Sequence, residues 1–170
     1  MWAFTRSWRP AGVRVNSPPV PMTAILDGHS MTKRPGKITV ACNADKKDFF
    51  DTITPLVLPM TTRLNVDVNF LLALVAFEDS WGQDVHNKAL HNIFGITHAG
   101  GNSMAFTSYE ACVAFWERTY GEKVRGIQTL EGFITAMKGI GYNSVNKSYY
   151  DTFRAVYQAV LKYHMACGAN

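Results

Sequence analysis

Residues 67–82 read DVNFLLALVAFEDSWG, and the fold turns on that run. Asp67 is placed to accept hydrogen bonds from the free N–H groups of a first helical turn. Phe70, Leu71, Leu74 and Val75 follow at helical spacing, and Leu72 and Ala76 widen the apolar face almost all round. A helix that is apolar on every side is a buried one, so the run predicts a central helix ended by Gly82. Glu78 lies about three turns beyond Asp67, in the last turn of that helix. The negative end of the helix dipole disfavours another negative charge there, and Phe77 and Trp81 flank it and would strip it of water. Both effects favour a carboxyl that keeps its proton near neutral pH, as a general acid must.

Working outward, a helix opens at Asn43 or Asp45 and carries Phe49, Phe50, Ile53 and Leu56. Pro55 and Pro59 predict that it kinks or ends there, with Arg63–Val66 as a connector. Downstream, Ile93–Thr97 and Met104–Phe106 read as two short strands around Gly100 and Gly101, a small hairpin. Further helices are expected over Ser108–Thr119, Thr129–Lys138 and Ser148–Met165, the last with a capping-box-like start at Ser148 and Asp151. Residues 1–40 differ. Arg6, Arg9 and Arg14 are interspersed with Trp2, Phe4 and Trp8, and Pro18, Pro19 and Pro21 follow. The expected organisation is an irregular N-terminal arm over 1–40 and one folded domain over 41–170.

Composition excludes several classes. The chain has 170 residues, 47% of them hydrophobic, 12% aromatic and 18% charged, which is too apolar for a disordered polymer. No stretch is long and apolar enough to span a membrane, and no apolar core follows the N-terminal charges as a secretory signal would require. A formal charge of +4 mildly favours a polyanionic partner such as a cell-wall polymer. The basic residues are scattered, however, and motifs for RNA or DNA are absent. Cys42, Cys112 and Cys167 are too few and too far apart for a disulfide framework. One disulfide with one free thiol is compatible with them, and spacing does not select the pair.

Several segments together resemble one family. Phe77-Glu78-Asp79-Ser80-Trp81-Gly82 resembles the Glu-Ser-x-Trp-Gly signature of the lysozyme-like glucosaminidase family of peptidoglycan hydrolases. His91-Asn92-Ile93-Phe94-Gly95-Ile96 is similar to its Asn-Asn-Leu-Phe-Gly-Ile segment, which opens a small β-lobe beside the sugar cleft. Phe106-Thr107-Ser108-Tyr109-Glu110 is similar to its strand-to-helix stretch. Gly141-Tyr142-Asn143-Ser144, followed by Tyr149, is similar to its Gly-Tyr-Ala-Thr…Tyr segment. The four pieces keep the family's order over about half of the chain.

The resemblance implies an α+β, mainly α, lysozyme-like fold with a central buried helix and a small β-hairpin lobe. It implies cleavage of β-1,4 glycosidic bonds after N-acetylglucosamine, with Glu78 as the acid and Tyr142 in the active site. His91, Asn92, Phe94 and Tyr149 join the substrate-binding set, with Trp81 as a ring on which a sugar face can stack. A muramidase or lytic transglycosylase of the same fold, or a non-catalytic glycan-binding module, is the alternative.

The departures are specific. Asp79 and Ser80 stand where the family has serine and a small residue, and Thr97 replaces a common lysine. No carboxylate lies between Thr97 and Phe106, where several family members place a second acid. Two-carboxylate mechanisms need the pair about 5 to 9.5 Å apart. Asp79 points about 100° around the helix from Glu78, so Asp84, in the loop beyond, is the better second acid. Without one, the substrate's own N-acetyl group can act as nucleophile.

His86, His91 and His98 do not share a helical face in the manner of a zinc pair, and Cys112 sits on an apolar face. No metal or cofactor is expected. The expected partners are peptidoglycan glycan strands and either a secretion carrier or a neutralising protein, with no nucleic acid and no membrane span, for a monomer. The expected place of action is the periplasm or cell wall, reached without a visible signal peptide.

Overall fold

A computed structural model describes residues 40–99, 101–143 and 146–168. The arm expected over 1–40 lies outside the described residues except for Val40, as do Gly100 of the expected turn and Ser144. Six helices follow one another: α1 (Ala44–Leu64), α2 (Val68–Glu78), α3 (Val85–Ala89), α4 (Tyr109–Val124), α5 (Leu130–Gly139) and α6 (Tyr149–Cys167). None of them is long and apolar enough to cross a membrane.

α2 is the central helix that its sequence demands. Asp67 accepts from the Asn69 N–H at 2.9 Å, and every residue from Phe70 to Ala76 is buried. α1 and α6 pack on it, and Phe50, Ile53, Val57, Met60, Phe153 and Val160 join the same core. Each such aliphatic or aromatic side chain contributes about 1.5–3 kcal/mol when fully buried.

α1 runs through Pro55 and Pro59 to Leu64, where the sequence predicted a kink or an end. Both prolines are exposed, while Ile53, Val57, Met60 and Leu64 face the core. The carbonyls of Asp51 and Pro55, which lose their usual donors, therefore sit on the watered side of the helix. Its C-terminal carbonyls are met by the segment after α4. Arg125 Nη1 donates to Arg63 O at 2.8 Å, the Gly126 N–H to Leu64 O at 2.9 Å, and Gln128 Nε2 to Asn65 O at 2.6 Å.

The expected hairpin is the main departure. Among the described residues it amounts to one isolated antiparallel bridge, Thr97 to Ser103, and no sheet forms. Its chain path is held largely by a side chain. Asn92 Nδ2 donates to Ile96 O at 2.8 Å and Met104 O at 3.0 Å, and its Oδ1 accepts from the Ile96 N–H at 2.9 Å. The Ile96 carbonyl also accepts from the Met104 N–H at 2.9 Å, and the His98 N–H donates to Asn102 O at 2.8 Å, so the pairing stops within a few residues of the bridge.

α3 forms in the polar stretch after α2, and α4 extends to Val124, beyond the expected Thr119. At α6 the expected capping box does not form. Ser148 makes no side-chain cap bond, and Asp151 pairs with Arg154 at 2.9 Å. A disulfide joins Cys42, just ahead of α1, to Cys167 at the end of α6, and Cys112 is free and buried.

Candidate active site

Glu78 ends α2, half-buried. Three contacts from three parts of the chain fix it. Tyr149, at the start of α6, donates its hydroxyl to Glu78 Oε1 at 2.5 Å. Asn87 of α3 donates from Nδ2 to the Glu78 carbonyl at 3.0 Å, satisfying one of the acceptors that a helix end leaves open. Gly95 passes close beneath the carboxylate. A Cβ at that position would stand 2.8 Å from Glu78 Oε2, and its backbone is left-handed at φ +61°. Glycine is required there twice over, by space and by conformation.

The tyrosines form a wall around this acid. Phe77 packs on the Tyr149 ring with centroids 4.8 Å apart, and Tyr150 meets Tyr149 edge-on at 5.0 Å. Burial, reinforced by the neighbouring Glu78 charge, pushes the Tyr149 and Tyr142 hydroxyls well above their ordinary value. Tyr150 is pushed up to about 12 by the same two causes. These hydroxyls therefore stay protonated donors across the physiological range.

The remaining sequence candidates fall into different places. Tyr142 is fully buried and donates to Phe94 O at 2.9 Å, so it braces the Phe94–Gly95 backbone behind Glu78. Phe94 is itself 0% exposed and stacks on Trp116 at 5.3 Å. Its ring is committed to the core and offers no face to a sugar. Asn92 is likewise 0% exposed, its amide spent on the Ile96 and Met104 backbone. Asp84 caps α3, accepting from the His86 and Asn87 N–H groups at 2.9 Å each. It thereby sets the helix that carries Asn87.

Trp81 is half-buried and turned towards α1 and α6. Ser80, Trp81 and Gly82 have φ of +50°, +60° and +74°, a left-handed turn that follows α2. Phe49 and Tyr163 meet it edge-on at 5.2 and 5.7 Å. Lys46 covers its ring, Nζ 3.6 Å from the centroid. His91, also left-handed at φ +48°, places Nδ1 3.1 Å from Phe106 O and meets Tyr109 edge-on. Among the described residues no group of three His, Cys, Asp or Glu side chains is arranged to hold a metal.

The sequence reading missed Gly95 as a contact of Glu78, and Asn87 and Tyr150 altogether. Gly95 had a signal, a glycine set between the apolar Phe94 and Ile96. Asn87 had none, since its role depends on where a five-residue helix docks.

No family model matches the chain, nor does any curated protein. Solved structures do. A chain of a type VI secretion system effector–immunity complex from Pseudomonas protegens superposes with a TM-score of 0.64 at 21% identity, covering 74% of this chain and 96% of that one. A peptidoglycan hydrolase from Sphingomonas sp. A1 gives 0.63 at 24% identity, covering 73% and 96%. A mutant of that hydrolase gives 0.59 at 24% identity, covering 70% and 98%. With Glu78 at the end of a buried central helix, this chain shares the mainly helical fold of these structures, as the sequence resemblance implied, while the β-hairpin lobe it also implied does not form as a sheet among the described residues.

Proposed function

We propose that the protein is a peptidoglycan hydrolase that cleaves β-1,4 bonds of the glycan strand, as an endo-β-N-acetylglucosaminidase, with Glu78 as general acid. The observation that carries the reading is the Glu78 carboxyl held between the Tyr149 hydroxyl and the Gly95 backbone at the end of α2. The Tyr149 hydroxyl, donating to Oε1, orients the Glu78 carboxyl that delivers the proton to the glycosidic oxygen. As that bond breaks, positive charge develops on the sugar, and the carboxylate left behind stabilises it. Asp84 is engaged at the α3 N-terminus, which favours the substrate's N-acetyl group as the nucleophile over a second acid.

Residues 41–170 form the hydrolase domain in this reading, behind the basic arm. It acts in the periplasm or cell wall, where a disulfide such as Cys42–Cys167 persists. The likeness to a chain of an effector–immunity complex supports a neutralising protein as partner.

Turbidity of purified cell walls tests the activity, and mass spectrometry of the fragments tests the bond. A new reducing end on N-acetylglucosamine is expected. A reducing N-acetylmuramic acid would make it a muramidase, and an anhydro end a lytic transglycosylase. Cell walls that bind the wild-type protein and never clear would favour a glycan-binding module.

Two substitutions separate the roles of neighbours. Tyr149→Phe removes a hydrogen bond to a carboxylate, worth about 1.5–3 kcal/mol, so lysis is expected to fall roughly ten- to a hundredfold with the fold intact. Tyr142→Phe leaves Phe94 O without its donor and is expected to cost about 1–3 kcal/mol of stability with a smaller loss of lysis. Equal loss in both would show that Tyr149 has no privileged relation to Glu78. Gly95→Ala drives a methyl into Oε2. A displacement of this size costs on the order of a hundredfold in rate, to be read from lysis by protein whose helical circular dichroism is unchanged.

A further inference from the structure

Of the three tyrosines around Glu78, Tyr150 keeps an open side. Tyr149 and Tyr142 are buried, and they give their hydroxyls to Glu78 Oε1 at 2.5 Å and to Phe94 O at 2.9 Å. Tyr150 is half-buried, and its hydroxyl makes one long contact, 3.4 Å from Tyr142 O. A well-formed O–H···O bond reaches only to about 3.0 Å, so this donor is largely unspent. The Tyr150 ring meets Tyr149 edge-on, and Lys138 Nζ stands over it, 5.0 Å from the centroid.

Lys138 is exposed, in the last turn of α5. The Glu131 carboxylate feels its charge but is bound to Arg154 through both oxygens at 2.7 Å. Among the described residues no carboxylate forms an ion pair with Lys138. A phenol and an ammonium thus stand side by side at the solvent edge of the tyrosine wall. An ammonium only donates hydrogen bonds, and burial together with the Glu78 charge keeps the proton on Tyr150. Sugar hydroxyls both give and take hydrogen bonds. Two neighbouring donors, one of them charged, are matched instead to a carboxylate, and charge-assisted bonds are the stronger kind.

In peptidoglycan every second sugar carries a lactyl ether arm, which ends in a carboxylate or in a stem peptide that bears carboxylates. We propose that Lys138 and Tyr150 form a subsite for a carboxylate on this arm, and that they set a preference for peptidoglycan over uncharged glycans such as chitin. The subsite rests on the reading of Glu78 as the acid that cuts the strand. Cleavage after N-acetylglucosamine places an arm-bearing sugar immediately beyond the cut bond, so the anion to be recognised belongs to a sugar next to Glu78.

The test measures kcat and KM of the full chain on three soluble substrates. These are glycan strands with stem peptides, the same strands freed of peptide by an amidase, and chitin oligosaccharides. The first carries peptide carboxylates, the second lactyl carboxylates and the third none. Lys138→Gln is expected to raise KM about three- to tenfold on strands that carry the recognised carboxylate, with kcat unchanged and no effect on chitin. Tyr150→Phe keeps the ring and is expected to raise KM about two- to fivefold on the same strands. Lys123→Gln removes a lysine from the last turn of α4. It controls for net charge and for charge at a helix end, and should leave all three KM values unchanged.

An effect confined to intact strands assigns the stem-peptide carboxylate, and one confined to stripped strands assigns the lactyl carboxylate. Equal KM changes on chitin, a loss in kcat alone, or no difference from Lys123→Gln would overturn the subsite. If the wild type cuts none of the three, titration calorimetry with the same substrates decides. Binding of the anionic strands that weakens in Lys138→Gln keeps the subsite and removes the hydrolase reading. Binding that is absent or indifferent to Lys138 removes the subsite.

Discussion

Glu78→Gln is expected to lower the rate of cell-wall lysis by roughly a hundred- to ten-thousandfold, the range that a positioned general acid supplies. Glutamine has the same shape, and its amide oxygen can still accept from the Tyr149 hydroxyl, so the melting temperature should change little. What it lacks is a proton to give. The loss should therefore appear in turnover, while pelleting with insoluble cell walls is retained. Asp84→Asn is the matched control. It weakens a helix cap worth about 1 kcal/mol and is expected to lower stability slightly while leaving most of the lysis. Wild-type lysis by Glu78→Gln, with loss in Asp84→Asn or Tyr142→Phe, would remove Glu78 from its role.

The second large effect is on stability. Cys42 and Cys167 lie 125 residues apart, and their bond closes nearly the whole described chain into one loop. Chain-entropy reasoning gives about 5 kcal/mol for a loop of that length. Replacing both cysteines by serine should remove a large share of a stability that is only about 5–15 kcal/mol for a typical domain. The loss should be read as a lowered denaturant midpoint, reproduced in wild-type protein by a reductant and absent when reductant is added to the variant. An unchanged midpoint would mean that the bond does not form in solution. Cys112 should not scramble the pairing, since burial pushes its thiol up to about 12 and leaves almost no thiolate.

The disulfide also bears on the surroundings of Trp81. It holds the start of α1 against the end of α6, the two elements from which Lys46 and Tyr163 enclose Trp81. A chain whose stability depends on that bond is best suited to an oxidising compartment, which is where peptidoglycan lies.

The parts legible in the sequence were those governed by local physics. Asp67 and the apolar run behind it announced a buried helix, and Thr129 capped α5 where expected, accepting from the Gly132 N–H. Two local rules failed for identifiable reasons. Proline ends a helix only when the lost hydrogen bonds have no alternative, and on the exposed face of α1 water supplies one. The hairpin was read from alternation and glycines, but among the described residues its pairing stops at one bridge, and the buried amide of Asn92 gathers the Ile96 and Met104 backbone into a tight loop.

The candidate site divides in the same way. Residues 67–82 by themselves determined that an acid closes a buried helix, because helical period and apolar composition are properties of a single segment. Which groups touch that acid was decided by tertiary structure alone. Tyr149 reaches Glu78 across 71 residues and Gly95 across 17, while Trp81, three residues on, packs against Phe49 and Tyr163. A side chain's neighbours along the chain set its conformation. The charge, donors and space around it come from whatever the fold packs there, and that is where the chemistry of Glu78 resides.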